Sequence, residues 1–151
     1  GGRAEVWDSK LKAPHEWLAH TGIRKPKTGC GYETVTYHES CHLSHGQKVV
    51  SQPREILKAI PGLELVELPE SSWCCGSAGI YNITQPEQSA RLLHRKIGCI
   101  GQTGASIVAT SNPGCHLQIS HGLHQREDIA CREVVQPVTL LARAYRAEWG
   151  L

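Results

Sequence analysis

The sequence predicts an α/β layered fold in which a mainly parallel sheet is flanked by helices. Two observations carry this expectation. From residue 33 onward, short β-rich runs alternate with segments of helical periodicity, the pattern of successive strand–helix units. The run Ser106-Ile107-Val108-Ala109-Thr110 is apolar without alternation, as suits a strand covered on both faces in a parallel sheet. The chain has 151 residues, enough for one domain with a continuous core.

The elements follow in order. Residues 1–32 read as an irregular lead-in, with a short helix starting at Asp8-Ser9-Lys10 and running through Leu18, then a linker over Thr21 to Gly29. The domain proper is expected over 33–151. Glu33 to Tyr37 reads as a strand. Pro53 to Ile60 reads as a helix with Ile56, Leu57 and Ile60 on one face, ended by Pro61-Gly62. Leu63 to Leu68 reads as the second strand, closed by Pro69. Thr84-Gln85-Pro86-Glu87 combines a capping-box pattern with Pro in the first turn, so a long helix is expected over Pro86 to Thr103, stopped by Gly104. Ser106 to Thr110 is the third strand, Gly114 to Leu123 a helix, Glu133 to Val135 a strand, and Pro137 to Tyr145 the last helix.

Composition narrows the function classes. With 40% hydrophobic and 20% charged residues the chain reads as an ordinary globular protein. Its net charge is +2 and Arg24-Lys25-Pro26-Lys27 is its basic cluster, so nucleic acid is not an expected partner. No apolar run approaches the ~20 residues of a membrane span, so direct membrane insertion is not expected. Neither a Walker loop nor a Gly-x-Gly-x-x-Gly fingerprint is present, which argues against nucleotide or flavin binding by those routes. The sequence contains no Met, so we expect a processed chain or a piece of a longer one. Seven Cys, an odd count, and no export-signal pattern lead us to expect a reducing, cytoplasmic setting, with thiols used as ligands or left in the core.

In sheets of this type ligands collect beyond the carboxyl ends of the strands. Cys41 lies just past the first strand, Cys74-Cys75-Gly76 past the second, and Cys115 past the third. Four thiols therefore fall at one sheet edge. An adjacent Cys pair alone says little, but Gly76-Ser77-Ala78-Gly79 beside it lets backbone approach a bulky inorganic group and offers N–H donors to its sulfur atoms. A disulfide between neighbouring residues is a strained alternative. Cys115 follows Asn112-Pro113-Gly114 at an expected helix N-terminus, where the dipole favours the thiolate.

Other residues invite a function and are read more plainly. His15 and His20 are five apart, about 140° around a helix, and do not make a zinc-protease pair. His42, His45 and His116 are read as solvated groups or hydrogen-bond partners to a centre. Cys99, inside the long helix, and Cys131, near a strand start, are read as core or semi-exposed thiols, and Trp73 as packing. Cys30, in Gly29-Cys30-Gly31, could fold back as an extra ligand.

Tyr37-His38-Glu39-Ser40-Cys41-His42, Ile60 to Pro69, Trp73-Cys74-Cys75-Gly76-Ser77-Ala78-Gly79-Ile80-Tyr81-Asn82, Asn112-Pro113-Gly114-Cys115 and Gln136-Pro137-Val138-Thr139-Leu140-Leu141 stand in this order. Together, over about residues 33 to 147, they resemble the carboxyl-terminal cysteine-rich (CCG-type) domain of glycolate oxidase iron–sulfur subunits. Related domains occur in heterodisulfide reductase, lactate-utilisation and anaerobic glycerol-3-phosphate dehydrogenase subunits. The resemblance implies electron transfer within a flavin-dependent 2-hydroxy-acid dehydrogenase complex, from a flavin-bearing subunit that holds FAD toward quinone or another acceptor. It places Cys41, Cys74, Cys75 and Cys115 at the ligand positions. Asn112 stands where many such domains carry a further Cys, but four thiolates suffice for a [4Fe–4S] cluster or a tetrahedral Zn²⁺. Ferredoxin-like cluster motifs belong to an upstream part of such subunits, and any membrane association arises through partners. Two alternatives stay open: a zinc-binding docking domain of the same kind of complex, and a module reducing disulfides at its cluster.

Overall fold

The computed structural model describes residues 2–29 and 31–151. Four strands, β1 (Glu33–His38), β2 (Leu63–Val66), β3 (Ile107–Thr110) and β4 (Glu133–Val135), form one sheet in the order β2-β1-β3-β4 with every pairing parallel. The seven described α-helices are α1 (Gly2–Lys10), α2 (Pro14–Thr21), α3 (Gln52–Lys58), α4 (Tyr81–Thr84), α5 (Pro86–Thr103), α6 (Pro113–His124) and α7 (Pro137–Glu148). The expected α/β layered fold is what the chain adopts.

Strand alternation sorts the core into two layers, because successive side chains point to opposite faces. Val35, Tyr37, Ile107, Ala109 and Val135 meet Ile56 and Leu57 of α3 and Leu140, Leu141 and Ala144 of α7. On the other face Val108 and Val134 pack against Leu93, Ile97 and Ile100 of α5 and Ile119 and Leu123 of α6. β3 is buried along its whole length, which accounts for its unbroken apolar run. Five helices carry Pro in their first turn, where its missing N–H costs nothing: α2, α3, α5, α6 and α7.

Several sequence expectations are corrected. The single helix through Leu18 is two, because Pro14 cannot sit in a helix interior and instead opens α2. The lead-in also touches the body: α2 packs on α3, Leu18 and Ile23 join the α3/α7 core, and Arg24 pairs with Glu148 at 2.9 Å. Thr84 does not cap α5; it closes the short α4, its hydroxyl donating to the Ile80 carbonyl at 3.2 Å, and Gln85 takes the cap position. β2 ends at Val66 rather than Leu68, and α7 continues to Glu148. A single π-helical turn, His42–Gly46, follows β1.

Candidate metal centre

β1 connects to β2 on one side, and the chain then crosses to place β3 on the other side of β1. This is the switch point at which the loops leaving neighbouring strands part and open a crevice at their carboxyl ends. Cys41 leaves β1 and begins the π-helical turn, whose first N–H groups, of Leu43 and Ser44, both donate to the Ser40 carbonyl at 3.0 Å. Cys115 sits in the first turn of α6, directly after β3. The Cys74-Cys75 pair arrives on the long connection after β2.

That connection is fastened at both ends. Glu70, in the left-handed region at φ 55, is held by Arg95 through a salt bridge of 2.5 Å, and the Arg95 guanidinium lies 5.0 Å from the centre of the Trp73 ring. Lys96, buried on α5, donates to the Glu70 carbonyl, and burial pushes its pKa down. Gly76 adopts φ 91, and a Cβ there would stand 2.5 Å from the Ser89 carbonyl oxygen. No other residue fits this close approach to α5. The Ser89 hydroxyl donates to the Gly76 carbonyl at 2.8 Å, and Gln118 of α6 donates to Ser89 at 3.0 Å, locking the turn to both helices.

The four thiols predicted from the strand ends line one cavity of about 300 Å³, together with His42, Ser77, Ala78, Gly79, Asn112 and Gly114. Cys75 and Cys115 are buried, while Cys41 and Cys74 are partly exposed at the mouth. The Gly76 N–H donates to Cys74 Sγ at 3.3 Å. Cys115 donates its thiol hydrogen to Cys75, which, with the nearby His38 ring and the Ser77 N–H, holds the Cys75 pKa far below the usual thiol value. The same hydrogen bond, with burial, pushes Cys115 up. At the start of α6 the Cys115 N–H donates to Asn112 Oδ1 at 3.1 Å. Burial and the nearby sulfurs of Cys74 and Cys75 push Cys41 up.

One residue escaped the sequence reading. His38, the last residue of β1, is wholly buried and brings a ring nitrogen to within 4.8 Å of the sulfurs of Cys75 and Cys115. Strict alternation along β1 is the signal that could have found it, since Val35 and Tyr37 claim the opposite face. The remaining candidates fall elsewhere. His42 lines the cavity and accepts from the Asn112 side-chain amide at 2.9 Å, whereas His45 is exposed and His116 stays outside the lining. Cys99 and Cys131 are buried in the α5/α6 core, and Cys30 lies outside the described residues.

The donor set fits a thiophilic metal group. Soft sulfur ligands from three separate loops, glycine-lined backbone and a buried imidazole converge on one space of sufficient volume. Residues 35–120 match the family model described as a cysteine-rich domain, CCG. The chain is 42% identical over 98 residues to a probable glycolate oxidase iron-sulfur subunit of Bacillus subtilis, covering 65% of this chain and 22% of that protein. It is 40% identical over 111 residues to a fumarate reductase (CoM/CoB) subunit of Methanothermobacter marburgensis, covering 74% of this chain and 22% of that one. A lactate utilization protein A of Bacillus mycoides is 33% identical over 88 residues, 58% of this chain and 36% of its own length. The chain thus spans between about a fifth and two fifths of these relatives.

Proposed function

We propose, from the premise that this chain belongs to the CCG cysteine-rich domain family, that it is an electron-transfer module whose Cys41, Cys74, Cys75 and Cys115 hold an iron–sulfur cluster, a [4Fe–4S] centre in the simplest case. The observation that supports this most directly is the meeting of four thiols from three strand-end loops in one cavity. An iron–sulfur centre supplies one-electron chemistry. The chain supplies the rest. The surroundings of Cys75 draw it toward the thiolate, and backbone N–H groups of Gly76 and Ser77 donate to the paired sulfurs. Cys41 and Cys74 at the mouth provide the exposed edge through which electrons pass.

In this reading the electrons come from a flavin-bearing subunit that oxidises a glycolate-like 2-hydroxy acid and leave toward quinone or another acceptor, with a ferredoxin-like segment of the same subunit between them. A relative named as a probable glycolate oxidase iron-sulfur subunit supports the assignment to such a complex. No described helix is long and apolar enough to cross a membrane; the proposed setting is cytoplasmic, with membrane contact arising through the partners.

The test is anaerobic purification followed by iron, zinc and acid-labile sulfide analysis and a visible spectrum, repeated on Cys75→Ser. About four iron and four sulfide per chain are expected, with the visible absorption lost in the variant. One zinc and no sulfide would overturn the reading and make this a docking domain.

A further inference from the structure

We propose that His38 is itself a metal ligand, binding through a ring nitrogen the metal group that Cys75 and Cys115 bind. The proposal rests on the reading above that these thiols hold a metal group, and extends it to a nitrogen donor. Three observations carry it. His38 has no solvent exposure, and apart from the neighbouring Cys75 sulfur its ring nitrogens have no polar partner. A buried imidazole so poorly paired is costly, because buried polar atoms are almost always paired.

The second observation is the company it keeps. Thr110, the β3 residue in register with His38, and Thr36 and Ser40, which lie two residues to either side of it, also have buried hydroxyls without partners. Polar atoms with no protein partner are thus concentrated around the carboxyl ends of β1 and β3, where the thiol cavity opens. The third is distance. The His38 nitrogen and the two sulfurs all lie within 4.8 Å of one another. Metal–nitrogen and metal–sulfur bonds of about 2.0–2.3 Å hold tetrahedral donors roughly 3.5 Å apart, so a small closure brings the three within coordinating distance of one metal group. A neutral imidazole adds a donor to the centre without adding negative charge.

The experiment labels histidine with ¹⁵N in the chain loaded anaerobically with iron and sulfide, and reads nitrogen coupling by pulsed EPR of the paramagnetic state. A coupling of direct-ligand strength is expected in the unsubstituted protein, retained in His42→Gln and lost in His38→Gln. Its absence from the unsubstituted protein, a reading that needs no variant to fold, or its persistence in His38→Gln overturns the proposal. Should the chain bind no iron and sulfide, the electron-transfer reading falls by itself, and a Co²⁺ titration then decides His38 alone. Loss of outer hydrogen-bond partners costs 10–100-fold in metal affinity, so His38→Gln should weaken Co²⁺ binding by at least about 100-fold. Equal affinity in the two proteins would overturn the proposal.

Discussion

Nε2 of His15 lies 3.1 Å from Oγ of Ser111, which joins helix α2 near the start of the chain to the short connection that leads into α6 and Cys115. The Tyr37 hydroxyl reaches the same Ser111 oxygen at 3.3 Å, so a lead-in helix, the central strand and a site loop share one buried junction. This junction has a pH signature.

Burial holds the His15 pKa below its ordinary 6.5. Between its folded value and 6.5 the unfolded chain binds more protons, so stability is full above pH 6.5 and falls as the pH drops through that window. Urea unfolding of the metal-free chain between pH 7.5 and 5.5 should show this loss. His15→Gln should flatten the slope while costing no more than about 1 kcal/mol at pH 7.5. Equal slopes would remove His15 as the source.

Gly76 and Gly79 both have positive φ, but only at Gly76 would a Cβ strike backbone, 2.5 Å from the Ser89 oxygen. Gly79→Ala should cost about 1 kcal/mol of conformational strain and leave metal binding intact. Gly76→Ala should cost about 2 kcal/mol or more and, by pushing the Cys pair away from α5, reduce metal retained per chain. Thermal melts and metal analysis on both variants check the ordering.

Cys99 and Cys131 pack in the core away from the cavity, Cys131 donating to the Glu133 carbonyl at 3.5 Å. Alanine at either position should cost about 1–2 kcal/mol through lost packing and leave iron and sulfide content unchanged. Alanine at Cys41 or Cys74, both partly exposed, should do the reverse, sparing stability of the metal-free chain and abolishing cluster retention.

The strands and long helices were legible because their signals are local. Pro86 and Pro137 mark the first residues of α5 and α7, and Gly104 marks the end of α5, adopting the left-handed conformation at φ 64 that only a residue without a Cβ takes freely. The placement of Cys41, Cys74, Cys75 and Cys115 at one edge was likewise legible, since strand ends suffice to predict it. What escaped was short or non-local. The His42–Gly46 turn and α4 have too few residues for a period to show. Alternation along β1 gives the face of His38, but its nearness to Cys75 and Cys115 depends on the pairing of β1 with β3, which β1 alone does not specify. The approach of Cys75 to Cys115 joins residues brought together only by the crossover to β3.

The sheet order also fixes a sequence of events in time. The ligand loops follow β1, β2 and β3, and β1 lies between the other two strands, so the cavity has no walls until both parallel pairings have formed. Parallel pairings close long loops and are slow steps of folding. Until β3 docks, the Cys74-Cys75 pair and Cys41 are dispersed thiols on a partly ordered chain, open to oxidant and to stray metal. On the proposed function, loading of the centre is therefore a late event in the life of this chain, and the interval before it is when the cysteines are most vulnerable.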